Sequence, residues 1–241
     1  VSSNTVIVVS GNIQTDEVYK EVDKYFKNIS SAKNGKKEKT KIIQNEPKVL
    51  IKYKETDQTH FVLGVRSFPL PDKRNTIVSL LGAVLGAGMS SRLFNKLREE
   101  MGVAYYVRAY NDPTIDYGSF QISAGVNNER TVEVIREIIK ECNILKIEKV
   151  GDKELNKVKS LLIGNMKMSL EATDDVANFY GGQELMKKEL KTLEEKIKEI
   201  NSVTSDDIQK MAKIIFKNES LNLAIIGPFK NDNDLKNVLK F

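Results

Sequence analysis

The sequence contains one cysteine, Cys142, and one histidine, His60. A lone cysteine excludes a disulfide framework and any Cys-rich metal site. A lone histidine excludes, from this chain alone, every site that needs two. No apolar run approaches the roughly 20 residues of a spanning helix, so no membrane span is expected. A basic n-region followed by an apolar h-region is also missing, so no signal peptide is read. Arginine is scarce, since 31 of the 38 basic residues are Lys. Nucleic-acid sites lean on Arg and on aromatics interleaved with charge, so nucleic acid is not an expected partner.

What is present suits a folded protein. The chain has 241 residues, 40% of them hydrophobic and 29% charged. That supports one large domain or two small ones with a real core, and argues against overall disorder. The net charge of +5 is concentrated, because residues 33–54 hold eight Lys and two Glu. This stretch reads as a solvated linker, with polyanion binding the weakest of the functional readings. The chain begins at Val1 rather than Met, and its first residues read as an internal strand. It is therefore expected to be a piece of a longer protein.

Periodicity organises the rest. Val6-Ile7-Val8-Val9 reads as a buried strand ended by Ser10-Gly11-Asn12, and Asp16 opens an amphipathic helix with Val18, Val22, Tyr25, Phe26 and Ile29 on one stripe. Ser30 to Pro47 is polar, Lys-rich and aperiodic, as a linker is. Strands are expected at Val49–Ile51, His60–Val65, Val103–Tyr110 and Gly118–Ala124. Between the second and third lie helices at Asn75–Leu85 and Ser91–Glu100, separated by Gly86-Ala87-Gly88. Further helices are expected over Glu129–Leu145, after a cap at Asp152, after a cap at Thr173 with an interruption at Gly181-Gly182, and from Thr204. The Thr204-x-x-Asp207 start is close to a capping box, with Asp in place of Glu. Leu221 to Ile226 is a last strand that must return to the sheet formed earlier. The fold class is α+β, in two layers: a mostly antiparallel sheet with helices packed on one face.

Residues 81–105, Leu-Gly-Ala-Val-Leu-Gly-Ala-Gly-Met-Ser-Ser-Arg-Leu-Phe-Asn-Lys-Leu-Arg-Glu-Glu-Met-Gly-Val-Ala-Tyr, are distinctive. They resemble the signature of the insulinase-type zinc metallopeptidases, the family of pitrilysin and the mitochondrial processing peptidase. Three other stretches agree in order and spacing: Thr56 to Gly64, the helix from Val158 to Leu170 with Glu171-Ala172-Thr173, and Ile200 to Ile208. The resemblance implies a protein of two homologous α+β halves, one of which binds zinc through a His-x-x-Glu-His helix and a distant Glu. This chain has no such motif. It resembles the second, non-catalytic half, with residues 1–32 as the terminal strand and helix of the preceding catalytic domain, 33–47 as the linker and 48–241 as the non-catalytic domain. The resemblance implies no cofactor in this chain and zinc in the absent half. It implies peptide or unfolded polypeptide as substrate, and the homologous catalytic half as partner, in the same chain or a separate subunit. A non-catalytic structural or partner subunit of the same family is the alternative.

The same resemblance points to Arg98 and Tyr105, which match a family pair that reaches substrate backbone from the second half. Arg98 lies near a helix end and Tyr105 near the next strand's start, with Gly102 turning the chain between them. A cation and a phenol suit carbonyl oxygens and developing negative charge. Plainer roles stand beside this one: Arg98 as a cation at a helix C-terminus, and Tyr105 as a core-facing strand aromatic. Gly86 and Gly88 read as a helix–helix turn in preference to a substrate loop, His60 as a structural histidine, and Cys142 as an inert buried thiol. Ser90-Ser91 has no base partner in view and is not read as a nucleophile.

Overall fold

Segments in which burial alternates residue by residue form strands, and the amphipathic segments between them form helices. The computed structural model describes residues 1–33, 35, 37–186 and 189–241. Along them run α1 (Thr15–Phe26), β1 (Lys48–Tyr53), β2 (Gln58–Ser67), α2 (Asn75–Gly86) and α3 (Arg92–Phe94), which continues as a π-helical stretch (Asn95–Glu100). Then come β3 (Ala104–Pro113), β4 (Gly118–Asn127), α4 (Thr131–Ile147), α5 (Asp152–Met168), α6 (Thr173–Met186), α7 (Leu193–Ser202), α8 (Ser205–Ile215), β5 (Asn222–Gly227) and α9 (Asn233–Val238). None of these helices is long and apolar enough to cross a membrane. Two compact units divide the chain. One comprises residues 1–40 and 163–198, the other 41–162 and 199–241.

The second unit holds the sheet, in the order β1-β5-β2-β4-β3. The β2–β4, β3–β4 and β2–β5 pairs are antiparallel, and β1–β5 is parallel. The last strand thus returns to the sheet by inserting between the first two. One face carries Phe61, Leu63, Phe120, Ile122, Leu223 and Ile225, all buried. Against it lie α2, α4 and α8. In α2, Leu80, Leu81, Val84 and Leu85 are at most 1% exposed, so this helix is apolar nearly all round. Burying such a side chain contributes about 1.5–3 kcal/mol. Gly86 lets the last turn of α2 approach β3, since a Cβ there would sit 2.8 Å from that of Ala109. The architecture is the expected α+β one, with helices on one face of a mostly antiparallel sheet. The opposite face, which carries Leu50, His60, Ala224 and Ile226, is exposed.

Several local expectations are corrected. Val6 to Val9 is not a buried strand: each of the four residues is 37–48% exposed, and none belongs to a ladder among the described residues. A β-branched run forms a strand only where another strand supplies hydrogen bonds. In α1, Tyr25 and Phe26 are exposed rather than packed. Gly181-Gly182 does not interrupt α6. Gly181 instead makes room for Val8, whose Cγ2 would lie 3.1 Å from an added Cβ. Residues 163–198 cluster with 1–40 and not with the sheet. The segment expected as a regular helix at Ser91–Glu100 has a single α-turn and then widens.

Candidate functional site

The widening begins one turn past Ser91 and ends at Met101. Leu93 and Leu97 are both 0% exposed and fix the buried side of this segment. Met101 N–H reaches back five residues to the Lys96 carbonyl at 3.1 Å, and Val103 N–H reaches the Leu97 carbonyl at 3.0 Å. A π-helical turn of this kind inserts a residue and re-aims the side chains beyond it, and it recurs at functional sites. Gly102 then reverses the chain with φ +64°, a left-handed conformation that suits glycine just past a helix end. The next irregularity lies in β3. Ala104 pairs with Val126 and Tyr106 with Gly125, so Tyr105 is the extra residue of a β-bulge. Bulges also re-aim side chains, often beside sites.

These features bring the two candidate residues together. Arg98 is exposed on the π-helical stretch, and its Nη1 donates to the Tyr105 carbonyl at 2.9 Å. Its guanidinium carbon lies 5.3 Å from the centre of the Phe94 ring. No carboxylate pairs with Arg98 among the described residues, whereas neighbouring Lys96 binds Glu100 at 2.8 Å. Tyr105 is 52% exposed, so it is not a core-facing aromatic, and its hydroxyl has no partner among the described residues. The contact between the two is side chain to backbone. It leaves the other guanidinium N–H groups and the phenol free to donate elsewhere.

The other singled-out residues separate from this pair. Gly88, with φ +77°, forms the turn after α2, where its carbonyl accepts from Ser91 Oγ at 2.8 Å. His60 is exposed on the open face, its ring stacked on Tyr106 at 5.9 Å and its Nδ1 3.2 Å from the Tyr106 hydroxyl. Gly125 lies beneath both, because a Cβ there would be 2.5 Å from the Tyr106 ring and 3.0 Å from His60 Nδ1. Cys142 is fully buried, and burial pushes its thiol pKa far above the ordinary value. Arg92, not anticipated from sequence, makes a two-pronged bond to Glu154, with both contacts at 2.8 Å. That bond raises the Arg92 pKa, while burial raises that of neighbouring Glu141. This network ties α3 to the start of α5.

No group of three or more His, Cys, Asp or Glu residues that could hold a metal occurs among the described residues. Among the described residues, His60 contacts Tyr106 and no carboxylate. The residues present do not fit a catalytic zinc site.

Comparison with known proteins identifies the family. A family profile described as "Peptidase M16 inactive domain" matches residues 1–162. The chain belongs to peptidase family M16. An uncharacterized zinc protease of Bacillus subtilis, YmxG, is 33% identical over 226 residues, covering 94% of this chain and 54% of that protein. An uncharacterized zinc protease of Streptomyces coelicolor is 27% identical over 235 residues, covering 95% of this chain and 51% of that protein. This M16 chain thus spans about half the length of these relatives. Among solved structures, a protease from Helicobacter pylori has a TM-score of 0.82 at 20% identity, over 91% of this chain and 54% of that one. A peptidase M16 inactive domain from Pseudomonas fluorescens has a TM-score of 0.72 at 21% identity, over 81% of this chain and 47% of that one. The chain is an M16 inactive domain of zinc protease-like proteins, as the signature at residues 81–105 implied.

Proposed function

We propose that this chain is the substrate-positioning half of a zinc-dependent metalloendopeptidase and has no hydrolytic activity alone. It closes a proteolytic chamber against a homologous catalytic half, in the same polypeptide or in a separate subunit. It holds peptide or unfolded polypeptide there. Zinc and the motif that binds it belong to the other half. In this reading residues 1–32 are the terminal strand and helix of that half, where the β-branched run at 6–9 finds a sheet edge, although within this chain they cluster with 163–198. Residues 33–47 are then the linker and 48–241 the non-catalytic domain.

One observation carries the reading. Arg98 and Tyr105 are displayed together by three consecutive backbone irregularities, and both keep hydrogen-bond donors that no described residue uses. A guanidinium cannot release its proton at physiological pH, so Arg98 positions and stabilises rather than transfers protons. It and the phenol suit the carbonyl oxygens of an extended peptide and the negative charge that develops on one of them during hydrolysis. A purely structural subunit needs neither an unpaired cation nor an unpartnered phenol here. The test compares this chain with the full-length protein in zinc content and hydrolysis of a fluorogenic peptide. The proposal expects about one zinc and activity in the full-length protein, and neither in this chain. Stoichiometric zinc on this chain overturns it. A folded full-length protein that neither binds zinc nor cleaves peptide selects the structural subunit instead.

A further inference from the structure

The open face of the sheet has a chemistry of its own. Strand register sets its side chains in rows. Lys52, Ile226, His60, Gly125 and Tyr106 form one row, and Leu50, Ala224, Val62, Ser123 and Arg108 the next. Small residues, Gly125, Ser123 and Ala224, occupy the middle, while the stacked His60–Tyr106 pair and Leu50 stand higher. The result is an apolar trough of about 330 Å³, bounded by Leu50, Lys52, His60, Val62, Tyr106 and Ile226. Leu50 is 70% exposed and Ile226 41%.

Charge says what fits. Lys52 and Arg108, at opposite ends of the two rows, are exposed and have no carboxylate partner among the described residues. Lys48 and Arg66 add the same sign on the same face. Asp112 is the one carboxylate that the described strands present there, and Gln121 Nε2 already donates to it at 3.2 Å. The field over the trough is therefore positive. β1 and β3 are the two edges of the five-stranded sheet, so Lys52 and Arg108 stand about 19 Å apart at ~4.8 Å per strand spacing. An extended peptide at ~3.4 Å per residue covers that distance in about six residues.

We propose that the trough binds an extended peptide segment of the substrate in which a bulky aliphatic or aromatic side chain lies between acidic residues. This selects acidic-apolar polypeptide and disfavours basic polypeptide. The inference rests on the reading that the chain positions peptide, and adds which peptide. The aromatic or aliphatic side chain enters between Ile226, Val62 and Tyr106, and the flanking carboxylates meet Lys52 and Arg108.

The experiment uses the full-length protein and three fluorogenic peptides that share a central Phe and differ only in flanking Glu, Gln or Lys three residues to each side. Each exposed charge pair changes affinity by about threefold, so Glu flanks should bind about tenfold tighter than Gln flanks and Lys flanks weaker still. Raising the salt should narrow the gap. The double reversal Lys52→Glu with Arg108→Glu should invert the order, and the neutral pair Lys52→Gln with Arg108→Gln should abolish the preference. Both positions are exposed, so the fold is not at issue. Equal binding of the three peptides, or a preference that both double variants leave intact, overturns the proposal. If that happens while Arg98→Ala still weakens all three equally, the positioning role stands and only the acidic selectivity fails. If no peptide binds at any charge, both fall.

Discussion

The sharpest perturbation of the site is Tyr105→Phe, which deletes one oxygen. That oxygen has no partner among the described residues, and the ring is 52% exposed. Its loss should therefore leave stability within about 0.5 kcal/mol of the original. Catalysis should respond differently. A neutral hydrogen bond to a peptide carbonyl contributes about 0.5–1.5 kcal/mol, and one to a charged oxygen about 1.5–3 kcal/mol. The expected fall in kcat/KM of the full-length protein is therefore about 2- to 13-fold in the first case, and about 13- to 160-fold in the second. Arg98→Ala loses a charge-assisted donor, so it should fall in the larger range. It also loses the bond to the Tyr105 carbonyl and the contact with Phe94, which together are worth about 1–2 kcal/mol of stability at an exposed site. Because Arg98 holds the strand start that carries Tyr105, the double variant should lose less than the two single losses combined. The assay is hydrolysis of a fluorogenic peptide beside a thermal melt of each variant. Tyr105→Phe with unchanged kcat/KM refutes a substrate contact by the phenol. A melt lowered by many degrees refutes the reading of Tyr105 as a displayed rather than a structural residue.

Other perturbations test the supports of the site. Gly102→Ala forces a side chain into φ +64°, where nothing crowds the added Cβ, so the cost is purely conformational at about 1–2 kcal/mol, and a melt should drop by a few degrees. Arg92→Met leaves Glu154 without its two-pronged partner at side chains 20% and 27% exposed, and urea unfolding should show a loss of about 2–3 kcal/mol, between the exposed and buried limits. Asp207 closes the capping box of α8, and its bonds to the Thr204 side chain and backbone N–H hold its carboxyl pKa below the ordinary 3.8. Its contribution is therefore complete above about pH 4 and is lost as pH falls through the depressed value. Asp207→Asn should cost about 0.5–1 kcal/mol at neutral pH and flatten that acid limb in a stability-versus-pH series.

Local signals made much of this fold legible. The alternation in β2 and β4, the apolar stripe of α2 and the Thr204–Asp207 cap all depend on neighbours within a turn or a few residues. Each appeared where it was expected. Val6 to Val9 forms no strand within this chain, because a β-branched run declares strand propensity but not a partner. The π-helical stretch and the bulge at Tyr105 were hidden for a related reason. The π-helical stretch turns on which carbonyl Met101 N–H chooses, Lys96 rather than Leu97, and the bulge on how distant Val126 pairs with Ala104. Arg98 and Tyr105 were found through the signature, while their exposure and their contact with each other needed the structure. The trough was not legible at all. Lys52, His60, Tyr106 and Ile226 meet only through the register of all five strands, and the one hint was Gly125 inside a strand, where glycine signals close approach of another group.

The central claim is that this domain supplies grip on the peptide and no metal. It is tested most directly by expressing the catalytic half separately and following peptide hydrolysis as this chain is added. The account predicts no hydrolysis by this chain, little by the catalytic half, and a saturable rise when the two are combined that chain carrying Arg98→Ala fails to restore. Full activity of the catalytic half without this chain, or any hydrolysis by this chain alone, would contradict it.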